Sequence, residues 1–458
     1  MNADMNRETM TDRVMTRCAV AILALVFLTL PAIVPARAAV DIQEVTSESG
    51  VTAWLVEDYT VPIVSVRFAF KGGSTQDPQG REGIANLMTG LFDEGAGELD
   101  AATFQERLDD VGAEIGFNAA RDAIYGQMRT LAEEREDAFE LLRLALNEPR
   151  FDEEPVNRIR AQILTGIQQE MRDPQALGQQ EFSRALYGDH PYARRSSGTP
   201  ESLAAISGEY LHDQHRRLFA RSNLYVAVVG AIDAETLKAE LDRVFGSLPE
   251  QAELDEVPYA APKLDQEVLY PYALPQSTIQ LVYPGIDRDD PEFFPAFLMN
   301  HILGGGDFSS RLFLEVREKR GLAYGVGSGL MNSDYSDSLF IGTSTRADRT
   351  QEALTVIKDA VNEIVENGVT DAELAAAKTY LIGAYPINNL DSSASVARTL
   401  VQLQMDDRGM DYIDRRVGYI EAVTREQVQA AAKRLLESEP AILVIGPEAE
   451  AGDESNGG

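Results

Sequence analysis

Residues 317–329 read REKRGLAYGVGSG, with Arg317 and Tyr324 seven positions apart on either side of Gly321. Taken alone, Arg317 reads as one of several solvated charges in VREKR, and Tyr324 as a core aromatic. Yet a solvated helix followed by a strand has no need of a bulky phenol beside so much bare backbone, so both readings stay open here. Other catalytic ingredients are few. His212 and His215 sit at i, i+3 in LHDQHRRLF, a spacing that puts two imidazoles on one helix face. Zinc needs three or four ligands, and the local addition is only Asp213, which points elsewhere. His190 reads as a loop residue and His301 as a satisfied core histidine on an apolar helix. No G-x-S-x-G elbow occurs, and LGGGDFSSR (303–311) lacks the lysine of a phosphate-binding loop. Its glycines either expose backbone N–H groups to an extended ligand or merely join two helices.

These residues must be held by a chain of 458 residues with a formal net charge of −33. So negative a chain argues against nucleic acid and anionic membranes as partners. Arg13 and Arg17 precede the apolar run CAVAILALVFLTL (18–30), and Ala36-Arg37-Ala38 follows. This pattern predicts a signal peptide over 1–38, hence a secreted and most plausibly periplasmic protein without a membrane anchor. Cys18, the single cysteine, leaves with that segment, so no disulfide or thiol chemistry remains. The acidic tail 448–458 reads as disordered.

Between these ends the pattern runs twice. Period-two strands at 51–57 and 61–70 lead to helices at 82–93 and 101–111, then strands at 114–119 and 123–131. Amphipathic helices fill 133–219, before a strand at 223–230 and a helix at 233–245. After the Pro- and acid-rich segment 247–267 the plan returns. It has a strand at 277–285, helices at 292–303 and 309–319, strands at 322–330 and 337–345, helices to 436, and a strand at 440–447. Thr370 with Glu373 and Thr424 with Gln427 mark two capped helix starts. The fold class expected is α+β: two homologous domains, 40–246 and 268–447, joined by a linker, 247–267. Each is a largely antiparallel sheet packed on one face by helices.

The two-half layout, the stretch GIANLMTGLFDEGAG (83–97), the segment YGDHPYARRSSGTPESL (187–203) and LGGGDFSSRLFLEVREKRGLAY (303–324) together resemble the insulinase/pitrilysin-type metallopeptidases. The likeness is to the short two-domain branch that includes mitochondrial processing peptidase, and it spans about residues 40–447. Active members carry H-x-x-E-H on the first of these helices: two zinc ligands and a water-activating glutamate. Here those places fall on Asn86, Thr89 and Gly90, and the downstream third ligand falls on Gly166. An amide is a poor zinc ligand, a threonine hydroxyl is no general base near neutral pH, and glycine offers nothing. No cofactor is therefore expected in this chain.

The family also uses an arginine and a tyrosine, seven residues apart, from the domain that faces the zinc; Arg317 and Tyr324 match them. The resemblance implies that this pair holds a substrate carbonyl and stabilises its oxyanion, with Gly304, Gly305 and Gly306 lining the substrate path. It further implies a heterodimer with a zinc-bearing paralogue that hydrolyses peptides or unfolded segments, with no activity expected of this chain alone. The alternative is a non-enzymatic peptide-binding or scaffold protein, since core subunits of a respiratory complex keep the same fold.

Overall fold

The computed structural model describes residues 40–447. The expected signal peptide and the acidic tail lie outside the described residues. Among the described residues, no helix is long and apolar enough to cross a membrane.

The first half contributes strands β1 (Gln43–Thr46), β2 (Thr52–Glu57), β3 (Ile63–Lys71), β4 (Glu114–Ala119), β5 (Ala123–Leu131) and β6 (Leu224–Gly230), ordered β1-β2-β6-β3-β5-β4. The second contributes β7 (Glu267–Pro271), β8 (Gln276–Pro284), β9 (Ala323–Ser333), β10 (Ser336–Arg346) and β11 (Ala441–Gly446), ordered β9-β10-β8-β11-β7. Apart from the extra β1, the two sheets share one topology. In each, the last strand of the half lies antiparallel to the central strand and parallel to the first. The remaining pairs are antiparallel.

β-Branched and aromatic residues in alternation build these strands. On β3, Val64, Val66, Phe68 and Phe70 enter one core, while Ser65, Arg67 and Ala69 face the other way. The first half's longer helices and the one at the sequence candidates are α1 (Ile84–Thr89), α2 (Ala101–Asp110), α3 (Arg135–Asn147), α4 (Glu153–Glu170), α5 (Pro174–Tyr187), α6 (Gly208–Leu218) and α7 (Ala234–Phe245), with a short turn of helix at Pro200–Ala204. The second half's are α8 (Phe293–Asn300), α9 (Thr350–Asn367), α10 (Asp371–Asn389), α11 (Ser393–Met405), α12 (Tyr412–Ala422) and α13 (Arg425–Leu436). The expected capping boxes at Thr370 and Thr424 are formed.

Each sheet's main core lies under helices of its own half. The opposite face receives a helix from the other half. Phe182 and Leu186 of α5 pack on Val282, Ala441, Leu443 and Ile445 of the second sheet. Gly178 makes that approach possible: a Cβ there would lie 2.7 Å from Ile445. A glycine inside a helix costs about 1 kcal/mol against alanine, so its place here is a packing requirement. Reciprocally, α11 lies across β3 and β6, and Gln404 donates to the Val226 carbonyl at 2.9 Å. The sequence pattern predicted the helix-covered face and gave no sign of this exchange.

Between α7 and β7 the chain has no regular structure, yet it is tied down. Asp255 N–H donates to the Gln76 side chain (2.7 Å), and Ala260 N–H donates to the Tyr335 carbonyl (2.8 Å).

Candidate functional site

Two places answer to the sequence candidates, one in each half. In the first, α1 is shorter than the 82–93 stretch predicted, by two residues at its start and four at its end. The buried carboxylate of Asp77 accepts from the N–H groups of Gly83 (2.7 Å) and Ala85 (3.2 Å). Burial pushes that carboxyl up to about 7. The helix ends at Gly90, and Glu94 beyond it pairs with Arg158 of α4 (3.0 Å).

Asn86 lines a recess of about 430 Å³ together with Arg121, Glu170, Arg194 and Arg195. Arg195 pairs with Glu170 at 3.3 Å. The Thr89 hydroxyl is turned back to the Asn86 carbonyl at 3.1 Å. Gly90 faces Ile159, and the space where a side chain of Gly166 would stand is open. One amide, one committed hydroxyl and two glycines do not make a zinc site. Among the described residues, no group of three or more His, Cys, Asp or Glu side chains is placed to hold a metal ion.

The histidines serve packing. His215 is buried, bonds to the Leu146 carbonyl at 2.8 Å and stacks on Phe219; burial lowers its pKa to about 4. His212 lies edge-on to Phe151. His190 accepts from Tyr192 N–H and bonds to the Pro258 carbonyl. His301 stacks on Tyr380, with centroids 5.1 Å apart.

In the second half the predicted helices 292–303 and 309–319 differ in kind from regular α-helices. The first passes into a wide π-helical turn, His301–Gly305, and the other is π-helical over Phe313–Glu318. Gly304 is buried against β9: a Cβ would lie 2.7 Å from the Ser328 nitrogen. Gly305 is exposed and Gly306 half-exposed.

Arg317 lies in the wide turn with its guanidinium 4.7 Å from the Phe313 ring centre and 5.9 Å from that of Phe308. Gly321, at φ +62°, reverses the chain; its N–H donates to the Arg317 carbonyl at 2.8 Å. Such a left-handed cap suits glycine, which has no Cβ to clash.

Tyr324 follows at the start of β9, where the pairing with β10 slips between Ala323 and Val326. The bulge is pinned on both sides, by Thr345 to the Leu322 carbonyl and Thr343 to the Gly325 carbonyl, each at 2.7 Å. Backbone so fixed aims the phenol outward, and Tyr324 is 88% exposed. Phe308, 72% exposed, lies just after the glycine run and next to Arg317. Sequence reasoning passed over it.

The geometry defines a protein of paired α+β halves, with an outward-facing Tyr324 on a pinned bulge in one and, among the described residues, no metal-ligand set in the other. Comparison with known proteins agrees. Residues 53–199 match the model described as "Insulinase (Peptidase family M16)", and 205–381 the one described as "Peptidase M16 inactive domain". A solved structure of a peptidase M16 inactive domain from Pseudomonas fluorescens is 30% identical, with a TM-score of 0.83 over 89% of this chain and 98% of that one. A Helicobacter pylori protein named non-peptidase homolog YmxG is 26% identical over 75% of this chain and 79% of its own length. An uncharacterised zinc protease of Mycobacterium leprae is 29% identical, over 82% and 85% respectively. The chain belongs to peptidase family M16, and its likeness to an inactive domain and a non-peptidase homolog fits a zinc-less member.

Proposed function

We propose that this chain is the zinc-less subunit of a heterodimeric metalloendopeptidase, lending Arg317 and Tyr324 to the active site of a zinc-bearing paralogue. The observation that carries the reading is the exposure of Tyr324. Among the described residues its phenol has no partner, while the backbone on both sides of it is hydrogen-bonded into place. A large side chain held rigidly toward solvent is suited to donate to a peptide carbonyl oxygen as negative charge grows on it, with Arg317, seven residues earlier, as the second donor. The metal and the attacking water belong to the other subunit. Gly305 and Gly306 leave room for an extended peptide beside the pair, with Gly304 holding that run against β9.

The same reading takes the halves 40–246 and 268–447 as two domains of one clamshell wall and places the protein in the periplasm after loss of residues 1–38. Its substrates are peptides or unfolded segments, because a closed chamber excludes folded proteins. The name of the Helicobacter relative favours a second reading, a peptide-binding protein with no part in catalysis.

One experiment separates the two. The chain is assayed alone and with its paralogue on a quenched fluorescent peptide, followed by Arg317→Ala with Tyr324→Phe. The expected outcome is cleavage only by the pair, with a loss on the order of 100- to 1,000-fold in the variant complex. Zinc-dependent cleavage by the lone chain, or full activity of the variant complex, would refute it.

A further inference from the structure

A cavity of about 300 Å³ opens between α8, α10 and α12, and neither Arg317 nor Tyr324 lines it. Half of its lining residues are aromatic, among them Phe293, Phe297, Tyr380 and Tyr385, and two are arginines, Arg288 and Arg416. No Asp or Glu lines it, although acidic residues greatly outnumber basic ones in this chain.

Arg416 is only 7% exposed. Its guanidinium lies 4.2 Å from the Tyr385 ring centre and 5.7 Å from that of Phe297, and donates to the Leu381 carbonyl at 3.1 Å. It forms no ion pair among the described residues, whereas Arg288 pairs with Asp406 at 3.0 Å. A guanidinium carries five N–H donors, and a buried, unpaired charge is costly unless something compensates it. Ring faces compensate in part. Burial and the nearby Arg288 both act against the charged form of Arg416.

We infer that this cavity binds a carboxylate carried on an apolar or aromatic body, with Arg416 as its counter-ion. A carboxylate fits the guanidinium fork through two parallel hydrogen bonds, and the rings receive the body. One uncompensated guanidinium matches a monoanion; a phosphate dianion would want a second free cation, and Arg288 is already taken by Asp406. The volume sits at the lower end of small-ligand sites, which run from roughly 300 to 1,000 Å³. That suits one side chain with its carboxylate, either the C-terminus of a peptide or a free arylalkanoic acid. Tyr380, on the cavity wall, stacks on His301 beneath Gly306, so the cavity adjoins the glycine run. The inference does not depend on a paralogous partner.

The test is calorimetry on the full chain with three probes: an acetylated tripeptide ending in a phenylalanine free acid, the same peptide as its C-terminal amide, and 3-phenylpropionate. The free-acid peptide or the phenylpropionate is expected to bind saturably, and the amide at least tenfold more weakly than its acid. Which of the two acids binds tells a peptide end from a free metabolite. Arg416→Met should abolish binding without lowering the melting temperature, because it removes an unpaired buried charge while keeping the bulk. Equal binding of acid and amide, undiminished binding by Arg416→Met, or no saturable binding of any probe at millimolar concentration would each overturn the assignment. The acid–amide comparison on the unaltered chain decides even if the variant fails to fold.

Discussion

The stretch around α1 and the turn around Gly321 make an instructive pair. Around α1 the scaffold is intact: Asp77 caps the helix, Glu94 ties its far end to α4, and open space waits at Gly166. What is missing is chemistry, since the side chains there are an amide, a hydroxyl turned onto backbone, and two glycines. Around Gly321 both scaffold and side chains are present, and the phenol is held where its own chain makes no use of it. Packing and caps thus sustain the backbone around α1 independently of any metal.

The sharpest way to break that comparison is to rebuild the first site. A chain carrying Asn86→His, Thr89→Glu, Gly90→His and Gly166→Glu should bind about one zinc, an all-or-none change measurable by elemental analysis; Ile159 must give by a few tenths of an ångström to admit the residue at 90. Metal-free protein after dialysis would show that the backbone has drifted too far. A smaller effect probes the scaffold of the second half. Phe182→Ala should cost about 3–5 kcal/mol in denaturant unfolding, because it empties the contact between α5 and the second sheet. A cost below about 1 kcal/mol would mean that the exchanged helix carries little stability.

The smallest effect concerns acid. His215 is buried with its pKa lowered from 6.5 to about 4, so the unfolded chain binds the extra proton first. Its contribution is whole above about pH 6.5 and is lost as pH falls toward 4, on the order of 3 kcal/mol. Asp77 acts in the opposite sense. With its carboxyl raised from 3.8 to about 7, acidification through that window favours the folded state. The histidine is therefore read from the difference between the native chain and His215→Gln, whose acid side should be flatter. Parallel stability curves for the two would reject this account.

Much of the fold was legible because strands with one buried face alternate in sequence, and β3 and β8 announce themselves in that way. The repeat was visible in the order of elements, but β1 and β7 were not expected, and the strand order was not predicted. What stayed hidden depends on distant residues. The start of α1 is fixed by Asp77, not by a local cap, and its end comes at Gly90, before the predicted residue 93. The wide turns at 301–305 and 313–318 accompany the seating of Gly304 against Ser328, a contact no local pattern encodes. Of the site, the spacing of Arg317 and Tyr324 was visible, and the lack of ligands at 86, 89, 90 and 166 was plain from residue types. Phe308 was missed because an exposed ring looks no different in sequence from a core one. Arg416 was missed because Arg415 beside it makes both look like surface charges; burial separates them only in three dimensions.

The reciprocal seating of α5 and α11 bears on how this polypeptide can be dissected. Severing the chain between residues 246 and 267 would not release two independent modules, since each fragment would keep a piece of the other's wall. Such halves would be expected to stay clasped after a nick and, if made separately, to find each other or precipitate through the greasy sheet surface left bare. The covalent joint is then the weaker of two fastenings, and the stronger one is woven.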